Sequence, residues 1–329
     1  MDPMVEITDL VKVFPNRKGT EIRAVDGISF SLGEGELFSL LGPNGAGKTT
    51  TISMLSGLLE PTSGEATIRG ISMGKHPLEA KRYIGVVPQE VALYPRLTAR
   101  QNLEFFGRMY GMGGRKLSRR IDELLDFIEI SDRRNDRIES FSGGMKRRVN
   151  IAVGLIHEPP VLYMDEPTVG VDPQSRRRIL DTIEHLKTEL GISILYTTHL
   201  MEEAEELSDR VGIIDHGTII AVGTLAELHK SVNEHDRVEF VVGEGDIPGG
   251  FIETIEGHES VTSATVERNS GEGSGPGHTI LILSSDGRRL LPEIIQDANQ
   301  RGLHVISVQV QEPNLESVFL AHTGRALRE

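Results

Sequence analysis

Apolar residues along the chain come in two textures. Glu36–Leu41, Glu65–Arg69, Ile84–Val87, Val161–Met164 and Ser193–Thr197 are short, mostly apolar runs, which predicts strands covered on both faces. Longer stretches between them carry helical spacing. Thr49–Leu59 reads as a helix after a Gly-rich loop, and Thr98 with Gln101 forms a capping box ahead of Leu103, Phe106 and Tyr110. Ile121, Leu124, Leu125 and Ile128 share one helical face, as do Met145, Val149, Ala152, Val153 and Ile156, and Asp172–Pro173 opens one more helix. Strands separated by helices predict an α/β fold on a mainly parallel sheet. The stretch from Thr98 to about Arg137 is almost purely helical and is expected to be an insertion into that plan, within a helical subdomain over about 98–158.

Near residues 225–236 the pattern shortens. Strand (237–242), helix (about 250–256), strand (261–268), strand (278–285), helix (288–301) and strand (304–311) give a β-α-β-β-α-β order, which predicts a small α+β module of ferredoxin-like type. The Gly-rich stretch Asn269–His278 would be its hairpin loop. Charge shifts at the same place: from Ser231 onward there are 16 acids and 7 bases, against 33 and 28 in residues 1–230. Two domains are therefore expected, 1–230 and 231–329, the second without any catalytic constellation. A chain of 329 residues has ample material for both, and no internal repeat is visible.

Composition narrows the chemistry. The net charge of −14 is the wrong sign for a protein that coats nucleic acid, so no nucleic-acid partner is expected. Zero cysteines exclude disulfides, Cys-ligated metals and a thiol nucleophile. No stretch approaches the about 18 apolar residues of a membrane span, and Asp2, Glu6 and Asp9 are unlike a secretory leader. Any membrane-embedded function is expected to come from another chain.

Gly42-Pro43-Asn44-Gly45-Ala46-Gly47-Lys48-Thr49 matches G-x-x-x-x-G-K-S/T in a strand–loop–helix setting. Such a loop curls its backbone N–H groups around phosphate oxygens, and the dipole of the following helix adds positive potential there. Lys48 can then reach the β- and γ-phosphates and Thr49 can ligate Mg²⁺. The apolar strand Val161-Leu162-Tyr163-Met164 delivers Asp165 and Glu166 at its carboxyl end, where open α/β sheets collect ligands. Because strand side chains alternate, the two acids should act differently: Asp165 on Mg²⁺, Glu166 on the attacking water.

Ser140-Phe141-Ser142-Gly143-Gly144-Met145 opens a helix, with Ser142 lying 23 residues before Asp165. With that segment the chain resembles the nucleotide-binding subunit of ATP-binding-cassette (ABC) transporters, a P-loop NTPase family. The resemblance covers residues 4–230 and implies a cytoplasmic ATPase, peripheral on the inner face of the cell membrane, that binds ATP and Mg²⁺. It implies nucleotide contacts from Gly42 through Thr49, from Thr50, and from Ser142, Gly143 and Gly144 of a partner subunit; Phe141 and Met145 depart from the common L-S-G-G-Q. Gln89 matches the glutamine that meets Mg²⁺, His199 the switch histidine that contacts the γ-phosphate, and Val169-Gly170-Val171-Asp172 the D-loop, of which only the Asp is shared. Phe14 stands where the family stacks an aromatic on adenine, with a core phenylalanine as the competing reading.

Arg176–Arg178 read as a solvated helix face, and Glu202, Glu203, Glu205 and Glu206 as acids that complement a helix N-terminus. The other ten histidines read as structural or solvated. The tail Glu312-Pro313-Asn314-Leu315-Glu316-Ser317-Val318-Phe319-Leu320, with Thr323-Gly324-Arg325, is similar to ABC-2-type export ATPases of the daunorubicin-resistance group. That implies an ABC-2-type transmembrane permease as partner; because the consensus motor residues are all present, a homodimer with two competent sites is expected over a heterodimer with one degenerate site. An importer ATPase and a soluble ABC ATPase are the alternatives; a GTPase would lack an explanation for Ser142–Gly144 and has no N-K-x-D here.

Overall fold

The structure is a computed structural model that describes residues 3–15, 21–231, 236–243, 247–268, 277–311 and 314–323. The chain divides into two compact units that meet in sequence between Leu225 and Ala226. The first contains β1 (Val5–Pro15), β2 (Glu21–Leu32), β3 (Leu37–Leu41), α1 (Lys48–Leu55), β4 (Ser63–Ile68), β5 (Ile71–Ser72), α2 (Pro77–Ala80) and β6 (Ile84–Val87). It continues through α3 (Ala99–Met109), α4 (Gly114–Phe127), α5 (Gly143–Gly154), β7 (Val161–Asp165), α6 (Pro173–Thr188), β8 (Ser193–Thr198), α7 (Met201–Leu207), β9 (Arg210–Asp215) and β10 (Thr218–Gly223).

The main sheet runs β10-β9-β3-β8-β7-β6, parallel throughout except for β10. Both its faces are covered, which explains its near-continuous apolar strands. On β7, Leu162 and Met164 enter the core packed by the helices, while Val161 and Tyr163 enter the opposite one. On β8, Ile194 and Tyr196 take the first side and Leu195 the second. Helices α3, α4 and α5 all lie between β6 and β7, which are sheet neighbours. Thr98 and Gln101 form the expected capping box on α3, and Asp172 caps α6 by accepting from the Ser175 N–H.

Three expectations are corrected. Helix α1 stops at Leu55, not Leu59, because Gly57 adopts φ 65° and the N–H groups of Leu58 and Leu59 turn back to Ser53 O. Arg69, expected in a strand, has φ 51° and opens the turn between β4 and β5. The sheet is also not alone: β2-β1-β4-β5 form a second, antiparallel one that pattern reading did not reveal. Its central strand β1 buries Val5 and Ile7 and then Leu10, a phase slip at Asp9, where φ is 46° and the pairing shifts.

The second unit includes β11 (Asp236–Val242), α9 (Phe251–Glu256), β12 (Val261–Arg268), β13 (His278–Ser284), α10 (Gly287–Gln300), β14 (Val305–Gln311) and α11 (Leu315–Thr323); α8 (Leu225–Ser231) precedes them. Its antiparallel sheet has the order β12-β13-β11-β14, the split β-α-β arrangement of a ferredoxin-like module. Val238, Phe240, Phe251, Ile280, Ile282 and Ile294 are central to its core. Within the expected hairpin loop, residues 269–276 lie outside the described residues; β12 and β13 on either side pair antiparallel. Glu312, Pro313, Gly324 and Arg325 of the tail also lie outside them, while Asn314 accepts from the Ser317 N–H at the start of α11.

Candidate active site

The carboxyl ends of β3, β7 and β8 carry most of the chemistry. After β3, the loop 42–47 turns into α1, whose N-cap Gly47 has φ 110°; a Cβ there would also stand 2.5 Å from Ala24 O. Only glycine meets both demands. Lys48 follows, 4% exposed, its Nζ donating to Gly42 O at 2.6 Å and Pro43 O at 3.0 Å. The same ammonium lies 3.0 Å from Glu166 Oε1.

Asp165 and Glu166 leave β7 toward different partners. Thr197 on β8, paired with Asp165 in register, donates its hydroxyl to Asp165 Oδ1 at 2.7 Å. Its oxygen accepts from the Glu166 N–H at 3.0 Å, which holds Glu166 at φ 44°, a conformation that side chains rarely adopt. The Glu166 carboxylate meets Lys48, Gln89 Nε2 at 3.1 Å, and His199 Nδ1 at 3.4 Å. That last pair lacks hydrogen-bond geometry, so His199 Nδ1 is a buried nitrogen without a partner. Burial pushes the Asp165 carboxyl up from its ordinary value and the Glu166 charge adds to this; hydrogen bonds from Thr197 and Thr49 and the Lys48 ammonium pull it back.

A cavity of about 200 Å³ is lined by Asn44, Gly45, Gly47, Lys48, Thr49, Thr50, Gln89 and Glu166, with Ala24 as an addition that the sequence did not suggest. The structure thus gathers the loop, Gln89, Asp165, Glu166 and His199. Ser142, Gly143 and Gly144 are not in that lining. They form the start of α5, where Ser142 caps the helix by accepting from the Met145 N–H at 3.3 Å. Gly144 packs on α6, since a Cβ there would come within 2.2 Å of Ser175 Oγ. Phe14 is half-buried on β1 with Lys12 Nζ 5.4 Å from its ring centre, and does not line the cavity.

The site fits a metal nucleotide. An unpartnered imidazole nitrogen and a lysine held by a carboxylate are groups that phosphate oxygens can satisfy. Thr49 hydrogen-bonds Asp165, an oxygen pair suited to a hard cation. Among the described residues no three His, Cys, Asp or Glu are grouped to hold a metal by themselves.

Glu202 and Glu203 do lie in the first turn of α7, where acids complement the helix dipole, but Glu203 is also 2% exposed and has further partners. It accepts from Tyr196 Oη at 2.7 Å, Thr198 Oγ1 at 3.0 Å and Arg176 Nε at 2.7 Å. The arginine run is solvated as expected at Arg177 and Arg178, both exposed, where Arg177 pairs with Asp181 and Glu206 and Arg178 with Glu129; Arg176 is half-buried and pairs with Glu203.

Fold and cavity together define a P-loop nucleotide-binding protein. The family model described as ABC transporter matches residues 25–169. The linearmycin resistance ATP-binding protein of Bacillus subtilis (strain 168) is 46% identical over 305 residues, 93% of this chain and 95% of that protein. The doxorubicin resistance ATP-binding protein of Mycobacterium tuberculosis (strain ATCC 25618 / H37Rv) is 36% identical, covering 92% and 89%. The Nod factor export ATP-binding protein I of Rhizobium sp. (strain N33) is 36% identical, covering 93% of each. A dimeric ATP-binding cassette solved in a post-hydrolysis state with ADP and Pi superposes with a TM-score of 0.62 at 28% identity, over 67% of this chain and 98% of that one. The chain belongs to the ABC transporter ATP-binding family and is an ATPase of that family.

Proposed function

We propose that the chain is the motor subunit of an export system, that it dimerises with a second copy around two Mg-ATP, and that it drives separate ABC-2-type membrane subunits from the inner face of the cell membrane. One observation carries the shared site: direct contacts draw Lys48, Thr49, Gln89, Asp165, Glu166 and His199 into one cradle, while Ser142–Gly144 open a different helix, with Gly144 packed against Ser175 of α6. First-turn N–H groups and a helix dipole suit an anion, so α5 is free to take the phosphate held by a partner. The relatives' names, two for drug resistance and one for export, favour export over import. Among the described residues no helix is long and apolar enough to cross a membrane, and the proposal gives the membrane path to separate subunits.

Bound Mg-ATP supplies the phosphoanhydride to be cleaved and a cation that neutralises its charge. Thr49, Asp165 and Gln89 would hold the cation, and Lys48 with the loop from Gly42 to Thr50 would hold the phosphates. Glu166 orients the attacking water and accepts its proton, with His199 beside it on the γ-phosphate. Phe14 is assigned to the adenine by family position. The division of labour is a nucleotide-binding domain over 1–230, with its helical part over about 98–158, and an accessory domain over 231–329.

Mixing two inactive proteins tests the shared site. Lys48→Ala damages the cradle and Ser142→Arg the signature, so each homodimer should be nearly inactive. In a mixed dimer one site combines both lesions and the other is intact. Partial recovery of ATPase activity that depends on subunit exchange is expected. No recovery, together with a Glu166→Gln protein that stays monomeric by light scattering in saturating Mg-ATP, would overturn the shared site.

A further inference from the structure

Helix α5 carries two adjacent buried arginines that do different things. Arg148 donates to Ile128 O at 2.6 Å and ties α5 to the end of α4. Arg147, 4% exposed, instead leaves the helical segment and reaches the loop after β6. Its two terminal nitrogens donate to consecutive carbonyls, Pro88 O at 2.7 Å and Gln89 O at 2.6 Å. One helical turn on, Asn150 accepts from the Ala92 N–H at 3.3 Å, so α5 grips this loop at both ends. The side chain of Gln89 meanwhile donates to Glu166 at 3.1 Å. A single residue is thus held by its backbone from α5 and by its amide from the carboxylate at the cradle.

Arg147 is an expensive way to hold a loop. No ion pair joins it to a carboxylate among the described residues, and its Nε has no hydrogen-bond partner. Burial lowers the pKa of its guanidinium, against the pull of the Asp165 charge. A buried cation without a paired acid is destabilising unless its geometry does something a neutral side chain cannot. The planar fork suits two neighbouring carbonyl oxygens, which a lysine's single ammonium cannot span in the same way.

We propose that Arg147 is a positioning residue that couples the start of α5 to Gln89, so that the seating of Ser142–Gly144 on a partner's phosphate and the seating of Gln89 beside Glu166 depend on one another. The coupling to a partner rests on the shared-site reading; the positioning of Gln89 does not. Linkage makes the effect reciprocal: whatever shifts Gln89 must also shift the signature end of the same helix.

A double-mutant cycle reads this directly. Arg147→Lys keeps the charge and removes the fork, and should lower kcat by about tenfold, within the span of measured coupling effects. In a Gln89→Ala background the same change should have less than about a twofold effect, because the side chain being positioned is gone. ADP, which has no γ-phosphate for a partner's signature to take, should bind Arg147→Lys within about twofold of wild type. Arg148→Lys removes a matched staple from the same helix and should leave kcat near wild type at temperatures where both variants are folded. Equal loss of kcat from Arg147→Lys in both backgrounds, equal loss from Arg148→Lys, or a wild-type kcat in Arg147→Lys would each overturn the proposal. Failure of the mixed-dimer recovery would instead remove the shared site and leave the Gln89 cycle standing on its own.

Discussion

Glu166→Gln separates catalysis from binding at the center of the cradle. The carboxylate is 4% exposed and shares its two oxygens between Lys48 at 3.0 Å and Gln89 at 3.1 Å, with His199 Nδ1 3.4 Å away and not hydrogen-bonded. Glutamine keeps the shape and one acceptor, and loses the charge and the ability to take a proton. General-base work contributes roughly 10²–10⁴ in rate, which is about 2.7–5.4 kcal/mol of barrier at 1.36 kcal/mol per decade. Hydrolysis should therefore slow by at least ~100-fold. Binding should move the other way. Before ATP binds, Lys48 must exchange Glu166 for phosphate; with glutamine its bond keeps the charged donor but loses the opposite charge, a weakening of at most about 1 kcal/mol. A neutral partner releases Lys48 more readily, so ATP should bind as tightly as to wild type or up to roughly fivefold tighter. Single-turnover phosphate release and equilibrium binding of ATP, measured on the same preparation, read both numbers. A turnover rate within about threefold of wild type would remove Glu166 from the chemistry, since water activation is worth far more. An affinity falling in parallel with the rate would show instead that the variant disturbs the cradle.

Gly144→Ala should destabilise the protein by about 1–3 kcal/mol through overpacking, because its Cβ would lie 2.2 Å from Ser175 Oγ; Ser175→Gly should recover the loss, and an unchanged Tm in Gly144→Ala would refute the clash. His157 stacks on Tyr110, its Nε2 bonds Ile84 O and its Nδ1 is buried without a partner, so burial holds its pKa below the ordinary 6.5. The unfolded chain therefore takes up this proton first, and the contribution to stability is full above pH 6.5 and lost as pH falls from there through the folded value. His157→Gln should flatten the fall in urea midpoint between about pH 7.5 and about pH 5.5; identical slopes would count against it. A chain truncated after Lys230 should still bind Mg-ATP, and a folded truncation that has lost all binding would show that the second unit serves the cradle.

Much of the cradle is determined by local sequence. Gly42–Thr49 form a continuous peptide whose turn and helix start depend on its own glycines, and Asp165 and Glu166 follow one apolar strand. The capping box at Thr98 and the N-caps at Ser142 and Asp172 are equally local, since each hydrogen bond spans three residues. Strand pairing is different in kind. Thr197 earns its place between Asp165 and Glu166 only because β7 and β8 lie side by side in one register, and a threonine in an apolar run announces nothing by itself. The antiparallel sheet stayed hidden because the bulge at Asp9 breaks the period of two on which strand reading depends. Glu203 looked like one of four acids near a helix N-terminus. Burial separated it from its neighbours, through Tyr196, Thr198 and Arg176 brought from two other elements. Arg147 and Arg148 are adjacent and chemically identical along the chain, yet helical geometry sends one to Gln89 and the other to Ile128. Residue type and short spacing decide which groups can do chemistry; which of them meet is settled by contacts between residues far apart in sequence, which the packing of the whole unit supplies.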